Sequence, residues 1–317
     1  MPRVLVTGAA GQIGSELSLT LREKYGGENV LATDINPKPN PDLLDTGPYE
    51  VVSILDPDSL AHVAYRYDID TLFHLAAILS ATAEGNPDFA WHVNINGLKN
   101  VLDIARQKKM RRVMVPSSIA VFGPSTPKFD APQDTILRPG TMYGVTKATG
   151  ELLCDYYWRK YDLDVRGVRY PGLISWKTEP GGGTTDYAVA IYYAAVRGRP
   201  FRCFVSPETT LPMMYMPDAI RAMLQLAEAE PTRLRYRNAY NVAALSFSAK
   251  ELEESIRREI PGLEVVYEPD YHQEIADGWP ATIDDASARE DWNWTPEYDL
   301  DAMTRDMIIH LREKLGS

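Results

Sequence analysis

The sequence predicts an α/β fold: a doubly wound parallel sheet followed by a smaller C-terminal lobe. Three observations predict it. Short apolar runs alternate with helical patterns from Val4 to about Ile174, the rhythm of parallel strands joined by crossover helices. The first run passes directly into a glycine turn and a helix. Beyond Ile174 the alternation gives way to loops, short apolar runs and amphipathic helices in no fixed order.

The first strand is Val4-Leu5-Val6, followed by Thr7-Gly8-Ala9-Ala10-Gly11-Gln12-Ile13-Gly14 and a helix carried by Leu17, Leu19 and Leu21. Glycines let the backbone approach a pyrophosphate, and a helix N-terminus offers unpaired N–H groups. Gly8, Gly11, Gln12, Ile13 and Gly14 are therefore candidate cofactor contacts. The second strand, Val30 to Thr33, ends in Asp34, twenty residues after Gly14. A carboxylate there holds the ribose hydroxyls of NAD and repels the 2′-phosphate of NADP.

Glu50 to Leu55 reads as the third strand, ending at Asp56, with Leu55 and Asp56 as further cofactor candidates. The fourth, Thr71 to Leu75, opens into Ala76-Ala77-Ile78-Leu79-Ser80. Ligands lie at the carboxyl ends of parallel strands, which nominates Leu75, Ala76 and Ala77. A helix is expected from Pro87 to Lys108, and the basic residues around Arg111 suit its C-terminus. Strand five is Val113 to Val115, ending in Pro116-Ser117-Ser118. After a Pro-rich loop from Gly123 to Pro139, a helix runs through Tyr161. Strand six, Asp164 to Arg169, ends in Tyr170-Pro171-Gly172 and adds Pro171 to the cofactor candidates.

The C-terminal part opens with Glu179-Pro180-Gly181-Gly182-Gly183-Thr184-Thr185, a loop with the glycines of a hinged lid. Helices follow near 186–197, from the Leu211 to Asp218 stretch through about 229, and near 249–259; a strand is expected near Val265, and an amphipathic helix from Leu300 closes the chain. Asn238 to Val242 reads as a strand rejoining the sheet. The division expected is a cofactor domain of 1–173 with a returning segment of about 212–247. A substrate-binding domain is then formed by 174–211 and 248–317.

Composition narrows the function classes. A net charge of -11 argues against nucleic-acid and acidic-membrane partners. Only Cys154 and Cys203 are present, with no short Cys/His spacing, which suits a reducing cytoplasm and predicts no metal site. Met1 leads straight into a strand, leaving no room for a signal peptide, and Leu72 to Ala83 is too short to span a bilayer. A soluble cytoplasmic protein is expected.

The chemistry concentrates in Thr141-Met142-Tyr143-Gly144-Val145-Thr146-Lys147. Residues four apart on a helix share a face. A phenolate near pH 7 needs roughly three pKa units of help, about 4 kcal/mol. An ammonium about 4 Å away at an effective dielectric near 20 supplies roughly that much. Tyr143 and Lys147 thus form a candidate base for taking a proton from an alcohol. Ser118, at the end of strand five, is placed to hold the substrate oxygen.

Taken together, Gly8-x-x-Gly11-x-x-Gly14, Ser117-Ser118-x-x-Val121-Phe122-Gly123, Tyr143-x-x-x-Lys147 and Trp294-x-Pro296 resemble the extended short-chain dehydrogenase/reductase family over the whole length. The resemblance implies a Rossmann fold and NAD(P) chemistry at a carbinol. In it Tyr143 is the base, Lys147 binds the nicotinamide ribose and Ser118 orients the hydroxyl. Asn96 would support a water-linked proton relay. Many extended members have tyrosine where Phe122 stands, at a position usually structural.

Five further stretches sharpen the resemblance: His74 to Ser80, Arg169 to Ser175, Gly183 to Ala188, Leu211 to Asp218, and Gly278-Trp279-Pro280. Together they are similar to the short-chain L-threonine 3-dehydrogenases. That similarity implies oxidation of L-threonine to 2-amino-3-oxobutyrate with NAD. It implies contact with the amino acid from Ser80, Ser118, Tyr143, Thr185 and Trp279, with Gly183 and Thr184 lining a closing loop. An unrelated kind of threonine dehydrogenase depends on zinc, for which this sequence has no cluster.

Two rivals remain at this stage. A nucleotide-sugar 4-epimerase shares every cofactor residue and needs a basic pocket, for which Arg199, Arg202, Arg235 and Arg237 are available. A non-catalytic NAD-sensing module has no use for the Ser118/Tyr143/Lys147 set. Helices 88–108 and 143–161 pair across a two-fold axis in many members of the family, so a homodimer is expected.

Overall fold

In the computed structural model, which describes residues 1–316, six parallel strands form the central sheet. They are β1 (Val4–Thr7), β2 (Val30–Asp34), β3 (Tyr49–Val51), β4 (Thr71–His74), β5 (Arg112–Met114) and, beyond β6 (Ser117–Ser118), β7 (Val165–Arg166). Their order is β3-β2-β1-β4-β5-β7, so the chain runs outward one way from β1 and then the other way from β4. β1 and β4 are buried at every residue, as strands covered on both faces must be. The crevice at this reversal, outside the carboxyl ends of β1 and β4, is where the topology leaves room for a ligand.

One face of the sheet is covered by helices Gln12–Tyr25 and Met216–Glu228. The other is covered by Pro57–Arg66, Leu98–Gln107 and Met142–Tyr161. A third core gathers Tyr187–Val196, Ala249–Glu259 and Leu300–Leu315 beneath Trp279 and Ile283. The last helix ends in the left-handed Gly316, and Ser248 with Glu251 forms a capping box at the start of its neighbour.

Two strands depart from the expected bounds. The third stops at Val51 instead of Leu55: Ser53 Oγ accepts Leu55 N–H at 3.2 Å, and the Asp56 carboxylate accepts Ser59 N–H at 3.1 Å. Turn and helix-cap bonds thus win over strand pairing. Strand six breaks at Gly167, where a Cβ would lie 1.9 Å from the Val115 carbonyl. Pro116, with no N–H to give, breaks the neighbouring strand opposite. Past the break, β6 pairs with β8 (Val168–Tyr170), and β8 pairs with the late strand Tyr240–Asn241, all in parallel. The sheet is thus extended over the site.

The C-terminal motif is anchored on the same scaffold. Asp218, 1% exposed, accepts the N–H groups of Glu297 and Tyr298 and is paired with Arg221. Trp294 is fully buried, and its indole donates to Ala243 O at 3.1 Å.

Candidate active site

A cleft of about 370 Å³ runs along the carboxyl ends of β1, β4, β6 and β8. At one end it meets the glycine turn: Gly8, Gly11, Gln12, Ile13 and Gly14, with Leu75, Ala77 and Pro171 opposite. At the other end stand Ser80, Ser118, Tyr143, Lys147, Gly183, Thr184, Thr185 and Trp279. The chain therefore brings together residues spread from Gly8 to Trp279.

The glycines are there for clearance. Gly8 has φ +71, and a Cβ on it would lie 2.5 Å from Ala76 N; one on Gly14 would lie 2.1 Å from Gly8 O. β1 and β4 can therefore close on each other only without side chains at this point. Asp34 reaches back to the turn, its carboxylate accepting Ala10 N–H at 3.0 Å and Asn36 N–H at 3.0 Å. A cradle of bare backbone beside a fixed carboxylate fits the pyrophosphate and ribose of a dinucleotide. Ala76 lies behind the cleft, against Gly8 and an inner cavity.

Leu55 and Asp56 do not line the cleft; the Asp56 carboxylate is engaged by Ser59 at the start of helix Pro57–Arg66. Like Asp34, both stand outside the lining of this cleft.

Asn96 requires a correction. It is exposed, and its amide meets His92 Nδ1 at 3.0 Å. Asn94 is buried instead, donating to Ile78 O at 3.0 Å and Thr146 Oγ1 at 3.0 Å while accepting Ile78 N–H at 2.8 Å. The cause is local: the long helix is interrupted by one π-helical stretch, His92–Gly97, flanked by Pro87–Trp91 and Leu98–Gln107. Residues two apart on a helix lie on nearly opposite faces, so turning Asn94 inward turns Asn96 outward.

The candidate acid–base group is built on helix Met142–Tyr161. Thr141 caps it, accepting Gly144 N–H at 3.1 Å, and Gly144 admits the Ala120 carbonyl, which a Cβ would meet at 2.2 Å. Tyr143 thereby sits within the first turn, close against the Ser118 segment. Lys147 Nζ donates to Pro116 O at 2.9 Å and lies 5.6 Å from the Tyr143 ring centroid.

Burial, opposed by Cys154 and Glu151, draws the Lys147 ammonium down to about 8. It pushes the Tyr143 phenol up to about 12, with Ser118 pulling the other way. In the chain by itself desolvation outweighs an ammonium that is aimed at Pro116 O. His74, bonded to Thr7 Oγ1 at 2.9 Å, is held neutral by burial with its pKa down to about 3. It shares with Lys147, Asn94 and Cys154 an inner cavity of about 30 Å³, room for one water.

Three side chains that shape the surroundings of the cleft escaped the sequence reading. Asp186 Oδ2 accepts the successive N–H groups of Gly181, Gly182 and Gly183 at 2.7, 2.8 and 2.9 Å, fastening the glycine loop. A carboxylate three residues past a glycine run is the signal that was available. Lys128 donates to Trp279 O at 2.8 Å and Asp277 O at 3.2 Å, setting the indole wall of the cleft from a loop 151 residues away. Glu16 accepts Ser175 Oγ–H at 2.7 Å, tying the chain ahead of the glycine loop to the helix that follows the glycine turn. Nothing local signals the last two.

Residues 4–243 match the model of the NAD dependent epimerase/dehydratase family. The chain belongs to that family. An uncharacterised epimerase/dehydratase of Staphylococcus saprophyticus is 48% identical over 315 residues, covering 99% of this chain and 98% of its own. Among solved structures, the holo form of a GalE-like L-threonine dehydrogenase from Cupriavidus necator is 49% identical with a TM-score of 0.95. That match covers 98% of this chain and 100% of the other. A monomeric L-threonine 3-dehydrogenase from a metagenome, in its apo form, is 48% identical with a TM-score of 0.94, covering 98% and 99%. Both the family's NAD and the extended fold agree with the glycine cradle and Asp34 described above.

Proposed function

We propose that this chain oxidises the β-hydroxyl of L-threonine to give 2-amino-3-oxobutyrate, with NAD as acceptor. The observation that carries the reading is the make-up of the cleft. Its reactive side has Ser118, Tyr143 and Lys147, while its other end is walled by Ser80, Thr185 and Trp279. Lys147 is the one Lys or Arg among the described lining residues, beside Glu179 and Asp186. A nucleotide-sugar diphosphate needs more positive charge than that. Of the four arginines available to the rival reading, three are engaged elsewhere: Arg202 with Glu268, Arg235 with Glu290 and Asp291, Arg237 with Asp164. Arg199 is outside the cleft's lining, as they are.

Gly8, Gly11 and Gly14 would cradle the pyrophosphate of NAD and Asp34 its adenosine ribose, with Leu75, Ala77 and Pro171 along its length. When bound, NAD supplies the hydride acceptor and a positive nicotinamide ring, a cation besides Lys147. Ser118 donates to or accepts from the substrate hydroxyl and fixes it toward Tyr143. Tyr143, as phenolate, takes the hydroxyl proton while the Cβ–H bond breaks, and Lys147 stabilises the phenolate charge. Thr184, buried, and Thr185, packed against Gly172, form the inner edge of the loop, and Trp279 excludes water.

In this reading residues 1–173 with about 212–247 hold the cofactor, and 174–211 with 248–317 hold the amino acid. We also assign the chain to a homodimer in the cytoplasm. Val145, Leu152 and Tyr156 on one face of the Tyr143 helix are exposed, next to exposed Phe89 and Trp91. An apolar stripe of this kind fits a second copy. Both thiols, Cys154 and Cys203, are free and buried, as in a reducing compartment. Among the described residues no helix is long and apolar enough to cross a membrane.

NADH formation from NAD with L-threonine, L-serine and a UDP-sugar in parallel tests the activity. Turnover of the UDP-sugar alone would move the reading to the epimerase. Sedimentation equilibrium should give the mass of two chains; the mass of one, as for the monomeric metagenome enzyme, would refute the dimer.

A further inference from the structure

Glu151 lies one helical turn beyond Lys147, as Tyr143 lies one turn before it, so the three share one face of helix Met142–Tyr161. Opposite that face run three consecutive residues, Pro116, Ser117 and Ser118. Each meets one member of the trio. Pro116 O accepts from Lys147, Ser118 faces the Tyr143 phenol, and Ser117 Oγ donates to Glu151 Oε1 at 2.5 Å.

Glu151 is itself held rigidly. Arg169 grips it in a bidentate pair, Nε to Oε1 at 2.9 Å and Nη2 to Oε2 at 2.8 Å, with both side chains 7% exposed. Arg169 stands opposite Ser117 in the parallel β6–β8 register and also donates to Gln133 O and Asn241 Oδ1. A buried ion pair is a poor device for stability alone, since an apolar pair of like volume packs a helix on a sheet at least as well. What it adds is direction. In an extended strand, successive side chains alternate, so fixing Ser117 fixes the rotation that aims Ser118.

We propose that Glu151 is a positioning residue for the reaction: held by Arg169 and acting through Ser117, it sets the direction in which Ser118 meets Tyr143 and the substrate oxygen. This rests on the dehydrogenase reading above. A misplacement of about 1 Å costs up to about 100-fold in rate, and loss of one hydrogen bond to Ser117 is a smaller disturbance. Ser117→Ala leaves the Glu151–Arg169 pair whole, so it separates direction from stability.

The test is steady-state kinetics on the full chain with L-threonine and NAD, with NAD binding and thermal melting measured on the same preparations. Ser117→Ala is expected to lower kcat about ten-fold while leaving KM for L-threonine and the Kd for NAD within about two-fold. Ser117→Thr, which keeps the hydroxyl, restores most of kcat. The double variant Glu151→Met/Arg169→Met, which strands no charge, loses kcat as Ser117→Ala does and stays folded.

Wild-type kcat in Ser117→Ala, no rescue by threonine, or losses that follow only the melted fraction would overturn the proposal. A wild type that turns over a UDP-sugar instead of L-threonine removes the activity reading, and the same variants then decide the proposal on that substrate. A wild type inert toward both overturns the two together.

Discussion

Replacing Lys147 by methionine should stabilise the protein while abolishing its turnover. On folding, the ammonium is drawn from 10.5 to about 8 by burial. At about 1.4 kcal/mol per pKa unit, the native state bears about 3 kcal/mol for keeping that proton at neutral pH. The hydrogen bond from Nζ to Pro116 O returns about 1 kcal/mol. Lys147 also faces the cleft, where solvent screens part of the penalty, so a net gain of about 1–2 kcal/mol is expected for Lys147→Met.

The pH dependence fixes the sign. Below about pH 8 both folded and unfolded states hold the proton, and the variant has its full advantage. Between about 8 and 10.5 the native state sheds the proton first, so wild-type stability climbs relative to the variant until the gap closes. Urea unfolding of both proteins across that range measures it, and groups common to both cancel in the difference. A variant less stable than wild type at neutral pH, or a gap that does not narrow, would refute the argument that burial works against this ammonium.

Two substitutions probe the other poles of the site. Tyr143→Phe should bind NAD as wild type does and lose about 1,000-fold or more in kcat, read from dinucleotide fluorescence and NADH absorbance; near-normal turnover would end the acid–base assignment. Asp34→Ala should erase the preference of kcat/KM for NAD over NADP and weaken NAD binding as well, because the same carboxylate holds Ala10 N–H in the glycine turn. A wild type equally efficient with both cofactors would contradict the role given to Asp34.

Much of this fold was legible locally. The strand, glycine turn and helix from Val4 to Tyr25 follow from steric needs that a short window displays, and so does the fully buried run Thr71–His74. The strand at Glu50 was read too long because apolar residues Val52 and Ile54 pack into the core from a turn as well as they would from a strand. Asn96 follows from the family resemblance, and the π-helical stretch that turns Asn94 inward in its place leaves no mark in a 3.6-residue pattern. Lys128, Glu16 and Arg169 act across 18 to 159 residues of chain, and nothing near them in sequence declares their partners. The phenol's raised pKa escaped for a related reason. Spacing on a helix tells which side chains are neighbours, while desolvation depends on what the rest of the chain brings around them.

The central claim is that Ser118, Tyr143 and Lys147 remove a proton from the β-hydroxyl of a small amino acid beside bound NAD. Its most direct test is the rate of NADH formation from NAD and L-threonine, with L-allo-threonine, L-serine and a UDP-sugar run under the same conditions. The account predicts strong turnover of L-threonine over the other three. Turnover of the UDP-sugar, or of no amino acid at all, would contradict it.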